Sequence, residues 1–198
     1  MRKQLVVMVK EPRPGRVKSR LGRESSGGIG IVRAAWWFRH QTRALLRRIR
    51  DPRWDVVLAV APDHEGLASR VWPEDLPRAA QGPGDLGDRM GRLFRTLPPG
   101  PVVIIGADIP GVTRAHVARA FNALGDHDAV FGPAPDGGYW LIGLKRTHAV
   151  PKSLFDNVRW SSEHALADTI AGIPGLNHAF IDTLEDVDTA EDLNRLRP

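Results

Sequence analysis

Three runs rich in Val, Ile and Leu, about 45 residues apart, most constrain how this chain can fold: Leu5–Val9, Asp55–Val60 and Val102–Ile105. Each is bounded by Pro, Gly or charge. A continuous apolar run, unlike an alternating one, suits a strand covered on both faces, as in a largely parallel sheet. Between the first two runs, Ala34, Ala35, Phe38, Ala44, Leu45 and Ile49 recur near helical spacing and predict a helix over Ile31–Arg50.

Further along, Asp85–Leu97 reads as a helix with Leu86, Met90, Leu93, Phe94 and Leu97 facing inward. Thr113 stands as an N-cap before a helical pattern over Arg114–Leu124. Asp128–Gly132 and Tyr139–Leu144 read as two more strands, joined by the turn-forming stretch Pro133–Gly138. Glu163–Ala171 and Ala190–Leu196 read as helices, with a short strand at Ala179–Ile181 between them. This alternation predicts an α/β protein, a three-layer α/β/α sandwich around a mostly parallel mixed sheet. No repeat, low-complexity tract or linker interrupts the chain, so a single domain over residues 1–198 is expected.

The net charge of +5 is unevenly placed. Residues 1–50 hold 14 basic and 2 acidic side chains, and the remainder is acidic overall. Six acids lie between Asp182 and Asp192 with no base among them. One part of the chain suits phosphate and the other suits cations. There are no cysteines, which excludes disulfides, zinc knuckles, iron–sulfur clusters and thiol catalysis. No apolar run approaches the roughly 18–20 residues of a membrane helix. The one behind Met1-Arg2-Lys3 is too short for a signal peptide. A cytoplasmic protein is expected, with neither nucleic acid nor membrane as partner: the acidic remainder repels a polyanion, and no nucleic-acid motif occurs.

Four segments could carry chemistry. Directly after the first strand, Lys10, Arg13, Arg16, Lys18 and Arg20 fall within eleven positions, with Gly15 allowing a close turn. That position suits phosphates, although a solvated basic loop is the competing reading. The segment is not a Walker loop, and Gly27–Gly30 is no dinucleotide fingerprint, because Arg33 stands where the third glycine belongs. Asp108, in Gly106-Ala-Asp-Ile-Pro110, follows the third strand and could hold Mg²⁺ or Mn²⁺ through oxygen; Thr113 already supplies the helix cap. In Asp186-Val-Asp-Thr-Ala-Glu-Asp-Leu193, the pairs Thr189/Asp192 and Asp188/Glu191 have capping-box spacing, so capping alone could explain most of these acids. Asp136-Gly-Gly-Tyr-Trp140 reads either as a hairpin turn or as an aromatic wall beside a substrate. Trp36 and Trp37 read as core and surface packing, and the histidines share no metal-ligand spacing.

In combination and in this order the motifs are specific. VKEPRPGRVKSRL at 9–21, QGPGDLGDRM at 81–90, GADIPGVT at 106–113, VFGPAPDGGYWLIGL at 130–144 and DVDTAEDL at 186–193 span nearly the whole chain. The sequence resembles the small bacterial glycosyltransferase-like proteins of the glycosyltransferase-A, or nucleotide-diphospho-sugar transferase, fold. It is also similar to 2-phospholactate guanylyltransferases and, more distantly, to molybdenum-cofactor nucleotidyltransferases. The resemblance implies roles. Lys18 and Arg20, with Arg16 and Lys10 near Gly15, would hold nucleotide phosphates. Asp108 would be the main metal ligand and Asp188 the second. Gly84, Asp85 and Gly87 would border base and ribose. Asp136, Gly137, Gly138 and Tyr139 would line the acceptor side, with Asp108, Lys18 and Asp136 as the catalytic set. Ser19 and Ala107 stand where the family often has Thr and Ser, Ser25–Gly30 fits no family pattern, and Pro110 removes the second acid of an Asp-x-Asp.

The expected activity is therefore a Mg²⁺- or Mn²⁺-dependent transferase on a nucleotide substrate. Glycosyl transfer from a nucleotide-sugar to a small acceptor leads. The alternatives are transfer of a nucleotidyl group from a nucleoside triphosphate to a phosphorylated or carboxylated acceptor, and a non-catalytic nucleotide-binding module.

Overall fold

The computed structural model describes residues 1–23 and 27–195. Its seven strands are β1 (Gln4–Lys10), β2 (Asp55–Ala61), β3 (Arg78–Ala80), β4 (Val102–Gly106), β5 (Ala129–Pro133), β6 (Tyr139–Leu144) and β7 (His178–Phe180). The helices are α1 (Ser19–Gly22), α2 (Ile31–Arg48), α3 (Asp63–Leu67), α4 (Leu86–Thr96), α5 (Arg114–Asp126), α6 (Ala165–Ala171) and α7 (Ala190–Arg195), with a 3₁₀ turn at Lys152–Phe155. They form one sheet in the order β3-β2-β1-β4-β6-β5-β7. β1 pairs in parallel with β2 and β4, whereas β6 runs antiparallel to both β4 and β5. The expected mostly parallel mixed sheet is present.

Alternation along β1 shows why the sheet is covered twice. Leu5, Val7 and Val9 enter one apolar core with Phe38 and Leu45 of α2 and Val117 and Phe121 of α5. Val6 enters the other, with Met90, Leu93 and Phe94 of α4 and Leu154 of the 3₁₀ turn. Because side chains point alternately to opposite faces, an unbroken apolar run requires a helical layer on each.

Most element bounds shift by one or two residues from expectation, α5 running on to Asp126, β5 covering Ala129–Pro133 and β7 covering His178–Phe180. α2 ends at Arg48, two residues early, with Ile49 buried as its C-cap. α6 begins at Ala165, not Glu163. Leu86, expected inside, is 45% exposed, since it opens α4 directly after the Asp85 cap. The expected end of α7 at Leu196 and the start of the Ser25–Gly30 segment lie outside the described residues.

Candidate active site at the carboxyl edge of the sheet

The parallel strands β1, β2, β3 and β4 all deliver their carboxyl ends to one edge, and β6, running the other way, begins there with Tyr139. A cleft of about 600 Å³ opens at this edge.

Asp108 reaches the cleft because its neighbours are anchored. Ala107 and Ile109 are buried, and the Arg48 guanidinium donates to the carbonyls of Pro110 and Val112 at 2.7 and 2.6 Å. Asp186 and Asp188 are placed by a similar device: Val187 between them is buried, and its N–H donates to the Asp108 carbonyl at 3.2 Å. The helix α7 is capped by other groups. Thr189 N–H and Asp188 N–H donate to Asp192 Oδ2 at 2.7 and 3.0 Å, and Asp192 N–H donates to Thr189 Oγ1 at 3.2 Å. Asp192 is therefore the capping acid of the run, which leaves Asp188 free to line the cleft with Asp186 beside it.

Asp108, Asp186 and Asp188 each bring an oxygen to one point, all within 4.8 Å of one another. Lys18 meets all three. Its Nζ lies 2.6 Å from Asp108, 2.5 Å from Asp188 and 3.9 Å from Asp186, with only 5% of the side chain exposed. The backbone of Lys18 is left-handed, at φ 47°, and buried Val17 anchors the loop before it. Burial opposes the lysine's charge, but the carboxylates of Asp108 and Asp188 outweigh it and hold the pKa above its usual value. Burial and the nearby charge of Asp188 push the Asp186 carboxyl up to about 6, against the pull of Lys18. Three carboxylates around one ammonium leave an anionic excess.

Lys10, Arg16, Arg20 and Arg89 add cations to the cleft lining, with Gly84 and Asp85 along one wall. Arg20 also lies 3.5 Å from Asp188, and Arg16 pairs with Glu65 at 3.4 Å. Asp85 has a structural duty too: it exchanges hydrogen bonds with Asp88 at 2.9 and 3.0 Å and so caps α4.

Residues 44–162 match the family described as uncharacterised proteins conserved in bacteria, DUF2064. The chain belongs to this family. No curated protein matches it. Among solved structures, this DUF2064 chain is similar to a candidate nucleotide-diphospho-sugar transferase from Desulfovibrio desulfuricans G20, with 32% identity and a TM-score of 0.87 over 99% of this chain and 87% of that one. Two remoter likenesses show the fold alone. One is Rv0371c of Mycobacterium tuberculosis H37Rv in complex with manganese (15% identity, TM-score 0.57, 99% and 97% covered). The other is CMP:2-keto-3-deoxy-manno-octonic acid synthetase complexed with CTP (10% identity, TM-score 0.61, 99% and 97% covered). The nucleotide-diphospho-sugar transferase fold expected from the motifs is the fold observed.

In this DUF2064 chain the remaining expected site residues are not gathered equally. Tyr139 lines the cleft, but its hydroxyl contacts Thr169 Oγ1 at 3.3 Å, and burial pushes its pKa well up. Asp136 lies on the turn before β6, near enough to Asp186 for their charges to repel. Its Oδ1 accepts from Gly138 N–H at 2.9 Å, so the turn already employs it. Gly137, at φ 83°, lets the chain pass the 163 segment: a Cβ there would stand 2.2 Å from the Glu163 carbonyl oxygen. Neither Asp136 nor these two glycines line the cleft. Gly87 does not line it either and admits close packing of α4, since a Cβ would meet Phe155 and Trp160. Gly15, at φ 78°, has open space around it.

The sequence reading passed over Asp186, Arg89 and Gln81. Gln81 is buried and donates from Nε2 to the carbonyls of Ala59 and Val9 at 2.8 and 3.2 Å, tying β2 to β1 beneath the cleft. Arg89 sits one turn into α4 and reaches Gly84 O and Gln81 Oε1 at 3.1 and 3.4 Å. Its position four residues after the Asp85 cap was the available signal.

Proposed function

We propose that this DUF2064 chain is a divalent-metal-dependent transferase on a nucleotide substrate, moving a glycosyl group from a nucleotide-sugar to a small neutral acceptor. The convergence of Asp108, Asp186 and Asp188 beside a cation-rimmed cleft carries the reading. The donor set suits Mg²⁺ or Mn²⁺: all three ligands are carboxylate oxygens, the donor type that hard divalent cations take, and they lie within 4.8 Å of one another, near enough for one ion to gather them with small side-chain adjustments. Burial first, and then the charges of Asp188, Asp108 and Asp136, raise the Asp186 carboxyl, and a cation among these acids would relieve the charge part of that strain. Asp108 and Asp188 would hold the ion with Asp186 as a third ligand, and the ion would neutralise diphosphate charge as the leaving group forms.

The chain's own groups do the rest. Lys18 and Arg20, with Arg16, Lys10 and Arg89, offer fixed positive charge to phosphates. Gly84 and Asp85 border the base and ribose, and Tyr139 gives the cleft an aromatic wall. Asp136 stands outside the cleft lining but near Asp186, and the carboxylate oxygen that the turn does not bond to Gly138 would take the proton from an acceptor hydroxyl at the cleft's rim. Asp136 and Asp186 would repel an anionic acceptor, which favours a polyol or sugar-like one. With the site's carboxylates Asp108, Asp186 and Asp188 given to the ion, direct displacement by the bound acceptor fits better than a covalent enzyme intermediate.

Pro110 in place of a second acid after Asp108 favours a second reading, nucleotidyl transfer, in which the acceptor attacks the α-phosphorus and pyrophosphate leaves. Both readings need the same carboxylates, so the binding test addresses what they share. Titration calorimetry with nucleotide-sugars and nucleotides should show affinity that rises with Mg²⁺ or Mn²⁺. Asp108→Asn should stay folded and lose that rise. Metal dependence unchanged in the variant would refute the assignment.

A further inference from the structure

The cleft does not involve the outer face of α2, which has an unusual composition. This helix of 18 residues carries Arg33, Arg39, Arg43, Arg47 and Arg48 and no acid. Its buried side presents Ala35, Phe38, Leu45 and Leu46 to the sheet. At 100° per residue, Val32, Trp36, His40, Arg43 and Arg47 fall within an arc of about 80° on the opposite side, flanked by Arg33 and Arg39. All five are exposed; Val32 is 54% and Trp36 57% accessible.

The stripe is ordered along the helix. Its amino-terminal end is apolar, with Val32 and Trp36 beside the half-exposed Ile31. The Trp36 ring is held by stacking on His40 at 5.3 Å and by the Arg39 guanidinium at 5.9 Å. Its carboxyl-terminal end is cationic. Arg33, Arg39, Arg43 and Arg47 form no ion pair among the described residues. Arg39, Arg43 and Arg47 follow one another at i, i+4 spacing, where like charges destabilise a helix. A face built only for water would place acids among these arginines.

We infer that α2 is a docking face for an anionic lipid surface. Charge complementarity selects the occupant. A second copy of the chain, paired through the same face, would set arginine against arginine. A nucleic acid long enough to bridge beyond the helix would meet the acidic remainder of the chain. An anionic bilayer offers a plane to a straight stripe. It accepts Trp36 and Val32 at the headgroup boundary and phosphate partners for the arginines. No described helix is long and apolar enough to cross a membrane, so the contact is peripheral. This revises the expectation of no membrane partner. Phe38, on the buried side of α2, lines the cleft, so the stripe faces away from it and docking leaves the cleft open.

The test is flotation of the full chain with phosphatidylcholine vesicles, with and without phosphatidylglycerol, at low and high salt. Binding should require the anionic lipid and weaken with salt. Each basic residue near such a surface contributes about fivefold, so Arg43→Glu with Arg47→Glu should weaken binding at least about 25-fold, and Trp36→Glu should add to the loss. Circular dichroism and nucleotide binding, unchanged in these variants, separate lost docking from lost folding and from any failure of the proposed catalytic site. The inference fails if the wild-type chain stays unbound to anionic vesicles at low salt. It also fails if the double reversal binds them equally well, or if the same variants abolish self-association or binding to single-stranded RNA while vesicles are ignored.

Discussion

Lys18 shows what a single side chain decides at this site. Its ammonium touches two carboxylates and balances part of a three-acid cluster. Lys18→Met should lower the stability of metal-free protein by about 1–3 kcal/mol, as charged partners lose their hydrogen bonds. At roughly 2–4 °C per kcal/mol the drop is readable by thermal denaturation in a chelator, and added Mg²⁺ or Mn²⁺ should reverse much of it. The same variant should weaken nucleotide binding by about 10- to 150-fold at fixed salt, with nucleoside binding little changed. Equal loss for both ligands would assign Lys18 a structural role only. Lys18, Asp108 and Asp188 were legible from motif order. Asp186 was not, because capping alone could explain most acids of the 186–192 run, and only the folded chain shows that the cap is the Thr189–Asp192 pair. Asp136 was legible as a turn residue, and the Asx turn it makes with Gly138 is what the structure contains.

Among the elements, long apolar strands and their covering helices could be read directly, since β1, β2 and β4 are buried on both faces and their runs are unbroken. β3 (Arg78–Ala80) escaped notice because three half-buried residues leave no pattern, and α1 and α3 are too short to show a helical period. Caps were partly visible. Thr113 begins α5 as expected, but its N–H donates to His116 Nδ1 at 3.1 Å, where a Glu or Gln is the usual partner. That bond needs an unprotonated Nδ1, and burial lowers the His116 pKa from its ordinary value near 6.5 despite the opposing charge of Asp182. The unfolded chain thus binds the proton more readily, and the stability supplied by neutral His116 is lost as pH falls below about 6.5. His116→Gln should flatten the wild-type decline in melting temperature between pH 7 and 5; an unaltered slope would contradict the cap assignment. In the β5–β6 hairpin, Gly137→Ala should cost at least about 2 kcal/mol by urea denaturation, because positive φ and the Glu163 backbone both exclude a Cβ.

At the scale of the molecule, charge is divided by task. The basic first quarter supplies the cation-bearing loop after β1 and the arginine-rich α2, while the late acidic run brings Asp186 and Asp188 to that loop from near the opposite end of the sequence. The topology makes them meet: β1 lies inside the sheet beside β4, and the segment before α7 returns to the carboxyl edge through its backbone bond to Asp108. Composition shows the asymmetry but not the meeting, which depends on a crossing of 170 residues between Lys18 and Asp188. The central claim is metal-dependent sugar transfer from a nucleotide donor, and the most direct measurement is of the product that leaves. The protein is incubated with nucleotide-sugars or nucleoside triphosphates, pooled neutral and acidic acceptors, and Mg²⁺ or Mn²⁺. Released nucleotides and pyrophosphate are then quantified. The account predicts nucleoside diphosphate or monophosphate from a nucleotide-sugar, only with metal and a neutral acceptor, and none from Asp108→Asn. Pyrophosphate from a triphosphate, with no nucleotide released from any sugar donor, would contradict it.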